Sequence, residues 1–185
     1  MFKSSFFKAV AGVRGILSPL KRTHYTHRLT RYVLACSASC VLMSPAVNAE
    51  VLLTLKSSGQ TLEITRQQLE ALPTHELQTT TAWTDGVRQF KGPLVRDVLG
   101  LLEQPIADSA TARLIALNEY EVKVAASDYL TWDVILAYEQ DGKRLSRVDK
   151  GPLWVVYPRD QHDELQDSRV DHRWAWMLRT IVIEP

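Results

Sequence analysis

Three turn dipeptides, Ser58-Gly59, Asp85-Gly86 and Asp141-Gly142, punctuate the chain after residue 50 and separate short apolar segments. Such pairs favour the backbone of tight turns, so strands are expected on either side of them. Val51, Leu53 and Leu55 alternate with less apolar neighbours, and Leu62 and Ile64 return after the turn, which predicts a hairpin over 51–64. Thr65 followed by Gln68 has the spacing of a capping box, in which each side chain satisfies the other residue's backbone N–H. A short helix is expected there, with Leu69 and Leu72 inward and Pro73 ending it. Leu77, three consecutive threonines from 79 to 81, Trp83, Val87 and Phe90 make the next stretch β-rich.

Residues 92–103 predict the main helix. Pro93 falls where a first turn tolerates it, Leu94, Val98, Leu101 and Leu102 form one apolar stripe, and Arg96 and Asp97 face away. Two short strands are expected around Asn118-Glu119, then a brief helix near Ser127-Asp128-Tyr129. A strand runs into Asp141-Gly142, another spans Leu153 to Tyr157 with Trp154 and Val156 on its second face, and a polar helical turn follows over 160–167. Residues 173–184 are expected as one long closing strand that puts Trp174 and Trp176 on the same face. Runs of strand broken by single helices predict an α+β domain with a mixed β-sheet and short helices.

The N-terminal part has a different composition. Residues 1–31 hold seven lysines and arginines and no acid, and the uncharged run from Tyr32 ends in Val47-Asn48-Ala49. A basic region, a short apolar region and small residues at the exit describe a secretory signal peptide over 1–49, cleaved near Ala49. A single domain over 50–185 would then be periplasmic or secreted. Both cysteines, Cys36 and Cys40, lie in the leader, so the mature domain has no thiol for a disulfide, a metal or a nucleophile. Seven of the 22 basic residues and none of the 21 acidic ones leave with it, which makes the mature charge −6. That balance argues against nucleic acid or an anionic membrane as partner.

Enzyme motifs with a local signature, such as G-x-S-x-G, the P-loop, G-x-G-x-x-G and H-E-x-x-H, are absent from the sequence. His162-Asp163 and Asp171-His172 read as a solvated loop, and no metal site is expected from them. Arg159, Arg169 and Arg173 lie in loops beside the ends of two apolar strands, where guanidinium forks suit phosphate or carboxylate oxygens. Five tryptophans, at 83, 132, 154, 174 and 176, can pack a core or wall a pocket for a planar ligand.

Four landmarks follow one another: "FKGPLVRDVL", "ALNEYEV", "ILAYEQDGKRLSRVDKGPLWVVYP" and "RWAWMLRTIVI". In order and spacing they resemble the molybdopterin-binding domain of the sulfite-oxidase-like oxidoreductases, over about residues 75–183. The resemblance implies that family's α+β fold with short helices around a pterin pocket. It also implies molybdenum held by a pterin dithiolene and one cysteine, for two-electron oxygen-atom transfer. By that resemblance Thr79, in Leu77-Gln78-Thr79, stands at the cysteine position, with Thr80 and Thr81 open to a shift. Trp154 matches the arginine after Pro-Leu, and Arg159-Asp160-Gln161 matches the glycine-containing loop. The cofactor-facing set is then Thr79, Trp83, Tyr120, Trp154, Arg159 and Arg173. A threonine hydroxyl cannot replace the soft donation of a thiolate. The expectation is an exported, pocket-bearing binding or sensor-type module for a small ligand or pterin, or for a protein partner, with no catalytic residue. The alternative is an active molybdopterin oxidoreductase with an altered metal ligand.

Overall fold

The structure, a computed structural model, describes residues 50–185. The expected signal peptide, the expected cleavage site near Ala49 and both cysteines lie outside the described residues.

Strands β1 (Val51–Ser57) and β2 (Gln60–Thr65) form the expected hairpin, turning at Ser58 and Gly59, both with positive φ. Leu53, Leu55 and Ile64 are buried, as their alternation requires. The capping box is present. The Thr65 hydroxyl accepts the Gln68 N–H, and the Gln68 side chain accepts the Thr65 N–H at 2.9 Å, which starts helix α1 (Arg66–Glu70).

Strand β3 (Thr74–Thr79) pairs antiparallel with β4 (Arg88–Pro93). Here the structure departs from the sequence expectation, because Pro93 closes a strand instead of opening a helix. Leu94 caps α2 (Val95–Leu99), which tightens into a 3-10 turn at Gly100–Leu102. The helix is shorter than residues 92–103 suggested, since Gly92 and Pro93 belong to β4. Its apolar stripe still faces the core, with Leu94, Val98 and Leu102 buried.

Strands β5 (Thr111–Ala116) and β6 (Glu121–Ala125) make the second hairpin, and α3 (Asp128–Thr131) follows. The strand expected before Asp141-Gly142 divides into β7 (Ile135–Ala137) and β8 (Glu139–Gln140), which join different sheets; β9 (Lys143–Arg144) completes the turn. Strand β10 (Trp154–Val156) pairs with β7, and three 3-10 turns cover Arg159–Gln161, Asp163–Gln166 and Ser168–Arg173. The closing strand β11 starts only at Leu178 and ends at Glu184. Met177 has φ of 53° and its N–H donates to the Lys150 carbonyl, so extended pairing stops there. Trp174 and Trp176 therefore do not share a strand face as their spacing predicted.

A five-stranded sheet in the order β2-β1-β11-β5-β6 carries the core. Only β1 and β11 run parallel in it, with Thr54 opposite Thr180 and Leu55 opposite Ile181. The sheet is mixed, as expected. A second sheet, β3-β4-β8-β9, carries Thr79 and Phe90, and the β7-β10 pair carries Trp154. No helix among the described residues is long and apolar enough to cross a membrane.

Candidate functional site

Two backbone close approaches seat the β7-β10 pair. A Cβ on Gly92 would lie 2.0 Å from the Leu136 carbonyl oxygen, and one on Gly151 would lie 2.4 Å from that of Leu145. These two glycines let β4 press on β7 and let the chain enter β10 beside Leu145. Trp154, first in β10, is then fully buried.

Trp154 lies inside an aromatic cluster. Phe90 meets it edge-on at 5.3 Å between ring centroids, Trp176 at 6.4 Å and Trp83 at 6.5 Å. Trp83 in turn touches Trp176 at 5.0 Å and Trp174 at 6.2 Å. Such tilted and edge-on pairs suit the ring quadrupoles. The Lys150 ammonium stands 5.4 Å over the Trp154 ring. The Trp154 Nε1 is buried and has no hydrogen-bond partner among the described residues. Outside the cluster, Trp83 lines a groove of about 450 Å³ together with Arg88, Asp141, Lys143, Leu145 and Lys150. Asp141 accepts the Gln89 N–H at 3.1 Å, which with Arg88 holds its carboxyl below the usual value.

Thr79 ends β3 fully buried. Its hydroxyl donates to the Thr80 carbonyl at 3.2 Å and accepts the Asp160 N–H at 3.3 Å. The Asp160 carboxylate takes the Thr80 N–H at 2.7 Å and the Thr80 hydroxyl as well. The loop matched to the family's glycine-containing segment is thus fastened over Thr79.

The arginines are engaged within the fold. Arg159 donates to Asp171 at 3.1 Å and to the Gln166 carbonyl at 3.0 Å. Arg173 donates to Asp128 Oδ2 at 2.9 Å, and the Tyr157 hydroxyl donates to the same oxygen at 3.2 Å. Burial pushes the Asp128 carboxyl up, and Arg173 pulls against it. Burial likewise holds the Tyr157 phenol well above its usual range, so it stays protonated. Tyr120 is exposed and its hydroxyl donates to the His172 carbonyl at 3.0 Å, next to Arg173. Arg169 lies outside this cluster and pairs with Asp167.

The six residues singled out by resemblance therefore fall into linked groups. Trp83 and Trp154 share the aromatic cluster, Thr79 and Arg159 adjoin the fastened loop, and Arg173 and Tyr120 flank His172. Tyr157 joins them, packing on Trp174 at 5.7 Å while bonding to Asp128. Asp128 and Tyr157 are the residues that sequence reasoning missed. Asp128 stands at the first position of α3, where an acid suits the helix N-terminus and carries no mark of a distant partner. Among the described residues no three His, Cys, Asp or Glu side chains gather as a metal site.

Asp167 supports this region from outside. It caps the 3-10 stretch that carries Asp171 and Arg173, accepting the Arg169 N–H at 2.9 Å. The Arg169 side chain and that N–H lower its pKa from 3.8 to about 2. In that interval the unfolded chain binds the proton and the folded one does not. The contribution is therefore complete above 3.8 and is lost as pH falls toward about 2. Asp167→Asn should flatten the acid limb of stability across that window, read as urea midpoints against pH. An unchanged limb would show that this carboxylate is not linked to folding.

No protein-family model matches the chain, and no curated protein matches it. Among solved structures the chain is similar to the sulfane dehydrogenase SoxCD from Paracoccus pantotrophus. The TM-score is 0.52 at 16% sequence identity, covering 71% of this chain and 37% of that chain. The chain thus spans little more than a third of that protein's length. The likeness shows the fold. It is an α+β domain with a mixed sheet and short helices, like part of that dehydrogenase.

The residues at the matched positions do not fit a pterin-held molybdenum. Thr79, which the resemblance sets at the thiolate position, has a hydroxyl that donates to Thr80 and accepts from the Asp160 N–H, beside the Asp160 carboxylate. Trp154, which the resemblance sets at the arginine position, is a sealed indole, and Arg159 and Arg173 are committed to Asp171 and Asp128.

Proposed function

We propose that this chain is an exported binding or sensor-type module that keeps the molybdopterin fold without its metal chemistry. It takes a small ligand in the groove beside Trp83 or docks a protein partner there. The observation that carries this reading is the enclosure of Thr79. A ligand-bearing position must present its donor atom to a cavity, and here the donor is fully buried and fastened to Asp160 and Thr80. The groove supports the rest of the reading, having one indole wall and both signs of charge within a volume suited to a small molecule. The mature charge of −6 favours neither nucleic acid nor an anionic membrane.

The test is elemental. The protein is purified through its own export route from cells that make molybdopterin, then assayed for molybdenum and for pterin fluorescence. Neither is expected in stoichiometric amount. Thr79→Cys should also bring in no molybdenum, because the added thiol stays under the Asp160 loop. Stoichiometric molybdenum in the wild-type protein would sink the proposal and support an active oxidoreductase with an altered ligand.

A further inference from the structure

The aromatic rings do more than fill the core. They form an unbroken file from the groove to the buried polar cluster. Trp83 meets Trp174 at 6.2 Å, Trp174 meets Tyr157 at 5.7 Å, and Tyr157 meets Trp132 at 6.1 Å. Trp83 and Trp132 are partly exposed, whereas Trp174 and Tyr157 are sealed from solvent. Indole and phenol are the most readily oxidised rings among ordinary side chains. When they touch in a dry interior, an electron can pass between them with little rearrangement of solvent.

What decides the use of such a file is where a missing electron can rest. A tryptophan radical cation settles by giving up its indole proton. Trp154, on a branch 6.5 Å from Trp83, has a buried Nε1 with no acceptor among the described residues, so it cannot hold the charge that way. Tyr157 has what Trp154 lacks. Its hydroxyl already donates to Asp128 Oδ2 at 3.2 Å, and the same oxygen is held by Arg173 at 2.9 Å. Oxidation turns a phenol into a strong acid, and the acceptor stands in line for the proton. Both groups are buried, so the products are shielded from water.

We propose that Tyr157 is a redox-active tyrosine, reached from the groove through Trp83 and Trp174, that passes its proton to Asp128 on oxidation. A one-electron oxidant at the groove removes one electron from the Trp83 indole and is itself reduced by one electron. Trp174 refills Trp83, and Tyr157 refills Trp174. The Tyr157 O–H bond breaks as its proton bonds to Asp128 Oδ2. The protein then holds one neutral tyrosyl radical and one protonated carboxyl. The partner class is an outer-sphere one-electron oxidant, and the step stands whether or not the groove also binds a small ligand.

The experiment is flash oxidation of the purified protein by photogenerated ruthenium(III) tris-bipyridine. The radical is followed by electron paramagnetic resonance, with ring-deuterated tyrosine to identify it. The wild-type protein should yield a tyrosyl radical that forms more slowly in D2O. Tyr157→Phe, which keeps the ring and removes the hydroxyl, should lose that radical and leave a tryptophan radical. Trp174→Phe, which takes the oxidisable ring out of the file, should delay it. Circular dichroism confirms the fold of each variant, and Trp83→Phe at the groove end tests the same route if Trp174→Phe does not fold. A tyrosyl radical that persists in Tyr157→Phe, forms at the wild-type rate without the intervening indole, or ignores D2O would overturn the proposal.

Discussion

Trp154→Arg is expected to unfold the domain, although it restores the residue that the resemblance places after Pro-Leu. The indole is fully buried against Phe90, Trp83 and Trp176. A guanidinium there would lose those contacts and meet the Lys150 ammonium, which stands 5.4 Å over the present ring. Truncating a buried tryptophan costs about 3–5 kcal/mol, and an uncompensated buried charge costs a similar amount. The total is comparable with the whole stability of an ordinary domain. The check is soluble yield and the urea midpoint. A folded, cooperative Trp154→Arg protein within about 1 kcal/mol of wild type would mean that this position opens to solvent or to an anion, and the aromatic-core reading would fail.

Gly92→Ala should come second in size, at about 3 kcal/mol or more. The added carbon would fall 2.0 Å from the Leu136 oxygen, 2.7 Å from its carbonyl carbon and 2.9 Å from the Ala137 Cα. All three are backbone atoms of β7, which is paired on its other side with β10. No rotamer change can make room, so one strand must move and Trp154 with it. Gly100→Ala is the matched control. Its φ is −60°, and nothing lies within 4 Å of the new carbon. That variant should be neutral or more stable by up to about 1 kcal/mol. Equal thermal midpoints for the two variants would show that β4 and β7 do not press together as described. The glycine of the aromatic-x-glycine landmark, Phe90-Lys91-Gly92, is thereby given a mechanical reason.

Local chemistry was the legible part of this sequence. The Ser58-Gly59 turn, the Thr65–Gln68 capping box and the Asp141-Gly142 hairpin all lie within a few residues, and each is present. The α+β class was also readable, because strand alternation and single short helices are local patterns. Long-range pairing was not readable. Nothing near Thr54 announces Thr180 as its parallel neighbour. The closing strand was overrun because Trp174 to Met177 is as apolar as a strand, and a positive φ at a methionine has no sequence mark. Arg159 and Arg173 looked available for an anion because their partners, Asp171 and Asp128, are 12 and 45 residues away.

The place of β11 has a consequence for how this protein comes to exist. Leu178–Glu184 is the middle strand of the five-stranded sheet and, of its five strands, the last in chain order. Until those seven residues emerge from the ribosome, the β1-β2 and β5-β6 hairpins share no strand. A nascent chain held short of them cannot close its main core, since distant pairing must wait for its partner. The topology therefore ties closure of the main core to the strand of that sheet that is made last.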